Sequence, residues 1–177
     1  NKIICCLLLS SLTFSQFDWD NDGAANRQGL HIEWQRTGDA NADGTMIYAW
    51  SDCRNNGVRD VIAQKVDAEG NNLWGDNGVV VVIAEGRQED PQLVTDGVGG
   101  AYIIWMDYRD ETDAEGDIYA QHVLSNGILA WDPAGLALVD QSGQQSSPNI
   151  CSDGQNGAYV IWKDNSTSSY GDIVATH

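Results

Sequence analysis

The sequence predicts an all-β fold built from repeated, four-stranded antiparallel units. Three observations predict this fold class. A segment of about 55 to 57 residues recurs along the chain, and each copy contains short apolar runs separated by turn residues. No helical periodicity is present after the first 15 residues. Together these features favour repeated β-sheets that stack on one another.

The repeat is clearest around a conserved spacing of tryptophan residues. Its three copies are DGTMIYAWSDCR at Asp43–Arg54, DGVGGAYIIWMDYR at Asp96–Arg109 and DGQNGAYVIWKDN at Asp153–Asn165. A second block follows each copy, as DVIAQKV, DIYAQHV and DIVATH. Trp105 and Trp162 stand in register 57 residues apart, so the two segments that carry them are expected to fold alike.

Each repeat contains four strand-like segments, which are most easily followed in the second copy. In chain order they are Gln92–Val94, Ala101–Trp105, Ile118–Leu124 and Leu136–Val139. The second segment is rich in β-branched and aromatic residues and follows two glycines, which is typical of a strand after a turn. The third alternates with a period of two and predicts a half-buried strand. A turn that includes Asn126 and Gly127 ends the third segment, and Leu136–Val139 is a further strand.

A four-stranded unit with two apolar faces must stack on its neighbours, and this predicts blades of the β-propeller type. The repeats occupy residues 16–177, with blade boundaries near 35, 92 and 149, and amount to about three blades. The repeated tryptophans are expected to fill the core between blades. Because propellers close with about four to eight blades, further blades or self-association are expected to complete the ring.

Residues 1–15 have the layout of a secretory signal peptide, with one lysine, a short apolar run and small residues near Ser15. The run is shorter than the roughly 20 residues that span a membrane, so no membrane span is expected. The localisation predicted is therefore secreted or cell-surface. Export permits a disulfide between Cys53 and Cys151, although their different positions in the repeat argue against one.

The formal net charge is −17, with 9 Lys and Arg residues against 26 Asp and Glu residues. A nucleic-acid partner is not expected, because binding a phosphate backbone requires clustered basic side chains. Solubility explains this acidity most simply, and calcium binding by acidic loops is the alternative.

The blocks DGVGGAYIIWMDYR, DIYAQHVLSNG and LAWDPAG resemble those of secreted bacterial β-propeller repeat proteins, many of which end in a C-terminal type IX sorting domain. The resemblance covers residues 17–177. It implies an extracellular location and a repeat architecture, and it implies no particular activity.

Repeated carboxylates after the tryptophans are the first candidate site. With their basic partners they are Asp52, Arg54, Asp107, Arg109 and Asp164. One interpretation is a ring of carboxylates around the propeller mouth, and the other is turn capping by Asp with Arg or backbone partners. Recurrence in each repeat favours the structural interpretation. Trp34, which has no repeated counterpart, is the candidate ligand platform.

Two segments match the start of a calcium-binding loop, in which alternate oxygen ligands curl around one ion. Their candidate ligands are Asp18, Asp20 and Asp22 in the first, and Asp39, Asn41 and Asp43 in the second. Both lack the acidic residue at the twelfth position, where Gly29 and Trp50 stand, so ordinary loops are the simpler interpretation. Calcium is the one cofactor that the sequence suggests.

No catalytic residues are predicted, because common hydrolase, metalloprotease and phosphate-binding motifs are missing from the sequence. The function expected is a non-catalytic extracellular binding or structural module with a protein or glycan partner. A carbohydrate-active hydrolase of propeller fold is the alternative, because such an enzyme needs only two suitably placed carboxylates.

Overall fold

The computed structural model describes residues 33–54, 57–109, 116–139, 143–166 and 170–177, and this part of the chain is all-β. Its strands are β1 (Glu33–Ala40), β2 (Met46–Asp52), β3 (Asp60–Val66), β4 (Val79–Val82), β5 (Arg87–Thr95), β6 (Ala101–Tyr108), β7 (Asp117–Val123), β8 (Leu136–Val139), β9 (Gln145–Ser152), β10 (Ala158–Asp164) and β11 (Asp172–Thr176). The predicted fold class is confirmed.

The strands form three antiparallel sheets in which neighbours in the chain are neighbours in space. The first sheet has the order β1-β2-β3-β4, the second β5-β6-β7-β8, and the third β9-β10-β11 within the described residues. The inner strand of each sheet, β1, β5 or β9, contacts the inner strand of the next sheet. Four-stranded antiparallel meanders that stack in this way are β-propeller blades. The boundaries predicted near 35, 92 and 149 fall within these inner strands.

The first and second sheets pack face to face through one apolar cluster. From the first sheet it includes Ile47, Ala49, Val61, Ala63 and Val81, and from the second Leu93, Ile103, Trp105 and Tyr119. Alternate residues of β6 point to opposite faces, so Ile103 and Trp105 meet the first sheet. Trp74 joins the cluster and donates its Nε1–H to the carbonyl of Ser125, at 3.1 Å, which links the two sheets.

The second and third sheets pack through a separate cluster on the other face of β6. It contains Ile104, Met106, Ile118 and Ala120 of the second sheet together with Val160 and Trp162 of the third. The second sheet is therefore covered on both faces. The prediction that Ile118–Leu124 is half-buried is wrong. Both faces of this strand pack against sheets, and the alternating pattern did not indicate this. The expectation that the repeated tryptophans fill the core is confirmed for Trp105 and Trp162.

The outer face of the third sheet, defined by Tyr159, Ile161 and Ile173, is exposed to solvent. Ile161 is 45% exposed and Ile173 is 77% exposed. Their repeat equivalents in the second sheet, Ile104 and Ile118, are completely buried. The same positions of the repeat therefore have an apolar partner in one sheet and none among the described residues in the other.

Both cysteines in the described part of the chain, Cys53 and Cys151, are free thiols. Cys53 directly follows β2 of the first sheet, and Cys151 lies in β9 of the third. Across the same residues, no helix has the length and apolar character needed to cross a membrane.

Candidate functional site

The carboxylate of Asp107, at the end of β6, is saturated by partners from its own sheet. It accepts hydrogen bonds from the Nε1–H of Trp105 at 2.8 Å and the backbone N–H of Arg109 at 3.0 Å. The guanidinium of Arg109 donates to both carboxylate oxygens, from Nε at 2.9 Å and Nη2 at 2.6 Å. The same Nη2 also donates to the carbonyl of Ala134, at 2.8 Å. Asp107 thus joins a core tryptophan to the loop before β8.

Asp52 makes the corresponding contacts in the first sheet. It accepts the Nε1–H of Trp50 at 3.0 Å, the backbone N–H of Arg54 at 2.8 Å and the Arg54 guanidinium at 2.5 Å. Arg54 also donates to the carbonyl of Asn77, at 2.8 Å. Both buried carboxylates are occupied by their own sheets, and this geometry favours turn capping over a ring of free carboxylates.

The third repeat keeps the tryptophan and the aspartate but has Ser166 where the first two repeats have arginine. Asp164 accepts the backbone N–H of Ser166, at 2.7 Å. The Nε1–H of Trp162 is buried and has no hydrogen-bond partner within the described part of the chain. The cluster of tryptophan, aspartate and arginine is therefore complete in the first and second sheets and partial in the third.

Acid should weaken the first of these clusters. Burial raises the pKa of Asp52, but hydrogen bonds from Arg54 and Trp50 outweigh burial and lower it to about 2, from 3.8. The unfolded chain therefore takes up this proton first as the pH falls, so the stabilisation is present above about pH 4 and lost between about pH 4 and 2. A shift of this size corresponds to about 2 kcal/mol.

The measurement is the free energy of unfolding against pH for the wild type and Asp52→Asn. We expect the difference between the two proteins to shrink as the pH falls through this window. Parallel curves from pH 6 to pH 2 would show that Asp52 is not responsible for the loss.

Two buried glutamines form a second repeated cluster, which the sequence analysis missed. The Nε2 of Gln121 donates to the carbonyl of Asp132 at 2.8 Å, and its Oε1 accepts the backbone N–H groups of His122 and Trp131 at 3.1 and 3.0 Å. Gln64 makes the same bonds in the first sheet, to Gly75, Lys65 and Trp74. The repeated Gln in DVIAQKV and DIYAQHV was the available signal. These glutamines fix the connection before the fourth strand of each sheet.

A histidine–aspartate contact also recurs. His122 lies 2.9 Å from Asp96 through Nε2, and its ring stacks on Tyr102 with 4.3 Å between centroids. His177 and Asp153 make the equivalent contact in the third sheet, at 2.8 Å. Burial raises the pKa of Asp96, but the hydrogen bond from His122 and two backbone N–H groups lower it below its usual range. Recurrence indicates a structural contact here as well.

The second predicted calcium segment forms a turn between β1 and β2, and its side chains are used internally. Asp39 accepts the backbone N–H and the hydroxyl of Thr95, at 2.9 and 3.0 Å, and so joins the first sheet to the second. Asp43 accepts the backbone N–H and hydroxyl of Thr45, at 2.9 and 2.6 Å, while Asn41 donates to that hydroxyl. No group of three His, Cys, Asp or Glu side chains suited to a metal occurs in the part of the chain that the structure describes.

The first predicted calcium segment, with Asp18, Asp20 and Asp22, lies outside the described residues. Calcium binding therefore stays a prediction. Trp34 lies in β1 opposite Ser51, and its side chain is also outside the described part.

The inner strands share a bulge that the sequence analysis did not identify. Gln35, Asp90 and Ser147 have positive φ angles of 41°, 52° and 54°, and the register of pairing shifts at each of these positions. A bulge adds one residue to a strand and changes the direction of its side chains. The proline that follows in two of the repeats, in EDPQL and SSPNI, was the available signal, because proline inside a strand marks an edge or a bulge.

Charged residues surround the bulge of the second sheet. Glu89 forms ion pairs with Arg59 of the first sheet and with Arg87, whose Nε lies 3.1 Å away. The Oε1 of Gln35 accepts the backbone N–H of Asp90, at 3.0 Å. Burial, together with the nearby charge of Glu89, raises the pKa of Asp90 above its usual range. The two inner strands are thus joined at their bulges.

A cavity of about 300 Å³ lies beside this bulge, between the second and third sheets. Its described lining consists of Asp90, Gln92, Met106, Tyr108, Gly116, Gln144, Gln145, Ser146, Ser147 and Pro148. Asp90 is the one member of this set that carries a charge at neutral pH. The set has a side chain that ionises, several amides and hydroxyls, and an aromatic ring, which is a composition suited to ligand binding.

The fold and these clusters define a β-propeller-type module. No family model matches the chain, and no curated protein matches it. It is similar in structure to a levansucrase mutant from B. megaterium, with a TM-score of 0.48 and 12% identity over 78% of this chain and 42% of that one. It is also similar to an alpha-L-arabinanase from Penicillium chrysogenum complexed with arabinobiose, with a TM-score of 0.46 and 22% identity over 85% and 47%. The chain spans less than half the length of either protein.

Proposed function

We propose that this chain is a non-catalytic binding or structural module of a secreted or cell-surface protein, and that it holds a protein or glycan partner. One observation carries the proposal: the buried polar groups that recur from sheet to sheet are bonded within their own sheets. Asp52 and Asp107 bind tryptophan and arginine, and Gln64 and Gln121 bind backbone groups. Their recurrence and their saturation are both typical of residues that maintain a fold.

The carboxylates that differ between repeats also fit this proposal. Glu89 and Asp90 occupy positions where the third repeat has Ser146 and Ser147. Glu89 is held by two arginines, so its oxygens are committed to ion pairs. Glycoside hydrolysis requires two carboxyl groups on opposite sides of a scissile bond, and Glu89 is poorly suited to be one of them.

The alternative function is a carbohydrate-active hydrolase of propeller fold. The observation that favours it is the raised pKa of Asp90, which lies beside a cavity. A carboxyl group that keeps its proton to higher pH is suited to act as a general acid.

Export is part of the proposal and rests on residues 1–15, whose pattern is typical of a signal peptide.

A further blade is the partner that we propose for the outer face of the third sheet. This face presents Ile161 and Ile173, and the equivalent face of the second sheet is buried against a blade. Such a blade belongs either to the same protein or to a second copy of it.

A hydrolysis assay separates the two functions. We expect the purified chain to release no reducing sugar from a panel of polysaccharides and aryl glycosides. Asp90→Asn should give the same result, because an inactive wild type has no activity for the loss of this carboxyl group to remove. Release of product by the wild type that is lost in Asp90→Asn, while Asp164→Asn retains it, would overturn the proposal and establish the hydrolase.

A further inference from the structure

We infer that the cavity between the second and third sheets binds one small, uncharged, hydroxyl-rich ring, such as a single monosaccharide unit. This inference rests on the proposed binding function and names the chemical class of the ligand. It is carried by the size of the cavity and the chemistry of its lining.

The size of the cavity sets the size of the ligand. A volume of about 300 Å³ is at the lower end of the range of small-molecule pockets. It suits one ring with its substituents rather than a folded peptide segment. The lining comes from β5 and β6 of the second sheet and from β9 of the third, together with the residues just before β7 and β9.

The polar lining matches a ligand that both donates and accepts hydrogen bonds. Gln92 and Gln144 contribute amides, which have two donors and one acceptor oxygen, and Ser146 and Ser147 contribute hydroxyls. Sugar hydroxyls donate and accept in the same way. Asp90 adds an acceptor that can bind two neighbouring hydroxyl groups.

The apolar lining gives the ligand a surface to pack against. Tyr108, Met106 and Pro148 line the cavity and supply aromatic and aliphatic atoms for the C–H face of a ring. Tyr108 is held in place, because the Arg87 guanidinium lies 4.1 Å from its ring centroid. On another side, a Cβ atom at Gly116 would lie only 2.7 Å from the ring, so glycine leaves the tyrosine its space.

The charge of the lining argues against ionic ligands. Its described members include no lysine or arginine to pair with an anion, and the net charge of the protein is −17. Among the described lining a cation would find one carboxylate and one tyrosine, whereas a typical ammonium site has several aromatic rings. The described lining therefore favours a neutral ligand.

The backbone brings residues of two sheets to the cavity. Asp90 and Ser147 both line the cavity, and both have positive φ without being glycine. Gln35 has the same conformation at the equivalent bulge of the first sheet, so the bulge belongs to the repeat, and its role at the cavity is to place these two residues. The two bulges direct side chains of neighbouring sheets toward the same cavity.

The test is a titration followed by NMR, with neutral methyl glycosides of several common monosaccharides as the probes. We expect at least one of them, at millimolar concentrations, to shift the resonances of Tyr108 and Ser147. Gln92→Ala should then weaken binding by roughly 3- to 10-fold, as expected for the loss of one hydrogen bond. Asn149→Ala is the matched control, because Asn149 has the same repeat position and does not line the cavity.

Gly116→Ala gives a second variant, which should weaken binding because the added Cβ displaces the Tyr108 ring from its position in the lining. Thermal unfolding of each variant shows whether it is folded at the temperature of the titration. The inference is overturned if no neutral glycoside shifts these resonances in the folded wild type. It is also overturned if a simple amine or carboxylate binds instead, or if Asn149→Ala weakens binding as much as Gln92→Ala.

The result is separable from the proposed function. Retention of a protein or polymeric glycan partner without any effect of glycosides on the cavity would leave the binding module standing and remove this site. Turnover of a glycoside that occupies the cavity would keep the site and remove the non-catalytic proposal.

Discussion

Replacing Asp107 with alanine is expected to lower the free energy of unfolding by about 2–3 kcal/mol, the range for hydrogen bonds to a charged group and for a buried donor left without an acceptor. The Asp107 side chain is completely buried and pairs with Arg109 at 2.6 Å. Its removal also leaves the Nε1–H of Trp105 without an acceptor in the core. Urea unfolding followed by tryptophan fluorescence measures the change. Asp107→Asn should have a smaller effect, because the amide oxygen can still accept from Trp105.

The matched control for this prediction is Asp164→Ala, at the same position of the third repeat. Asp164 has no arginine two residues later, and its hydrogen bond to Ser166 is exposed. The loss should therefore be much smaller than for Asp107→Ala. Equal losses in the two variants would show that the arginine and tryptophan contacts contribute nothing particular.

Replacing Ile104 with alanine is expected to cost about 2–5 kcal/mol, as for other buried isoleucines. Ile104 is completely buried in the cluster that joins the second sheet to the third, with Val160 and Trp162. Truncation removes apolar contact and leaves a cavity between two sheets that cannot close fully. The same urea titration measures this change.

Ile161→Ala is the matched control, because Ile161 has the same repeat position on the exposed outer face of the third sheet. Because Ile161 is 45% exposed, we expect its replacement to lower the free energy of unfolding by less than about 1 kcal/mol. A loss as large as that of Ile104→Ala would mean that this face is covered in solution. Repeating the titration at lower protein concentration would then show whether a second copy covers it.

Much of the fold could be predicted because the repeat presents each strand more than once. The apolar run Leu136–Val139 is short and ambiguous on its own, but its place in the repeat identified it as the fourth strand, and it is β8. The register of Trp105 with Trp162 likewise predicted two buried residues at one position. Ile118 and Tyr119 lie on opposite faces of β7, and both are buried. Alternation predicts that one face of a strand is covered, and it does not show whether a second sheet covers the other face.

The candidate site was harder to predict, because its features depend on backbone conformation and on contacts between sheets. Neither Asp90 nor Ser147 is a residue type that demands positive φ, so only the neighbouring proline indicated a bulge. The cavity between sheets has members from β5 and β9 that are more than 50 residues apart, and no local pattern places them together. The repeated Trp, Asp and Arg residues could be recognised in the sequence. That all the carboxylate oxygens of Asp52 and Asp107 are hydrogen-bonded could be learned only from the distances in the structure.

The incomplete cluster of the third repeat has a consequence for how the chain opens. The free energy of local unfolding of each sheet depends on the contacts of that sheet. Sheets with the same fold can therefore differ in how readily they open. The second sheet has neighbours on both faces and a closed ion pair, whereas the third has Ser166 in place of arginine and a buried Trp162 N–H without a partner. Amide protons of the third sheet should therefore exchange before those of the second, so the sheets of this chain differ in local stability although they share one fold.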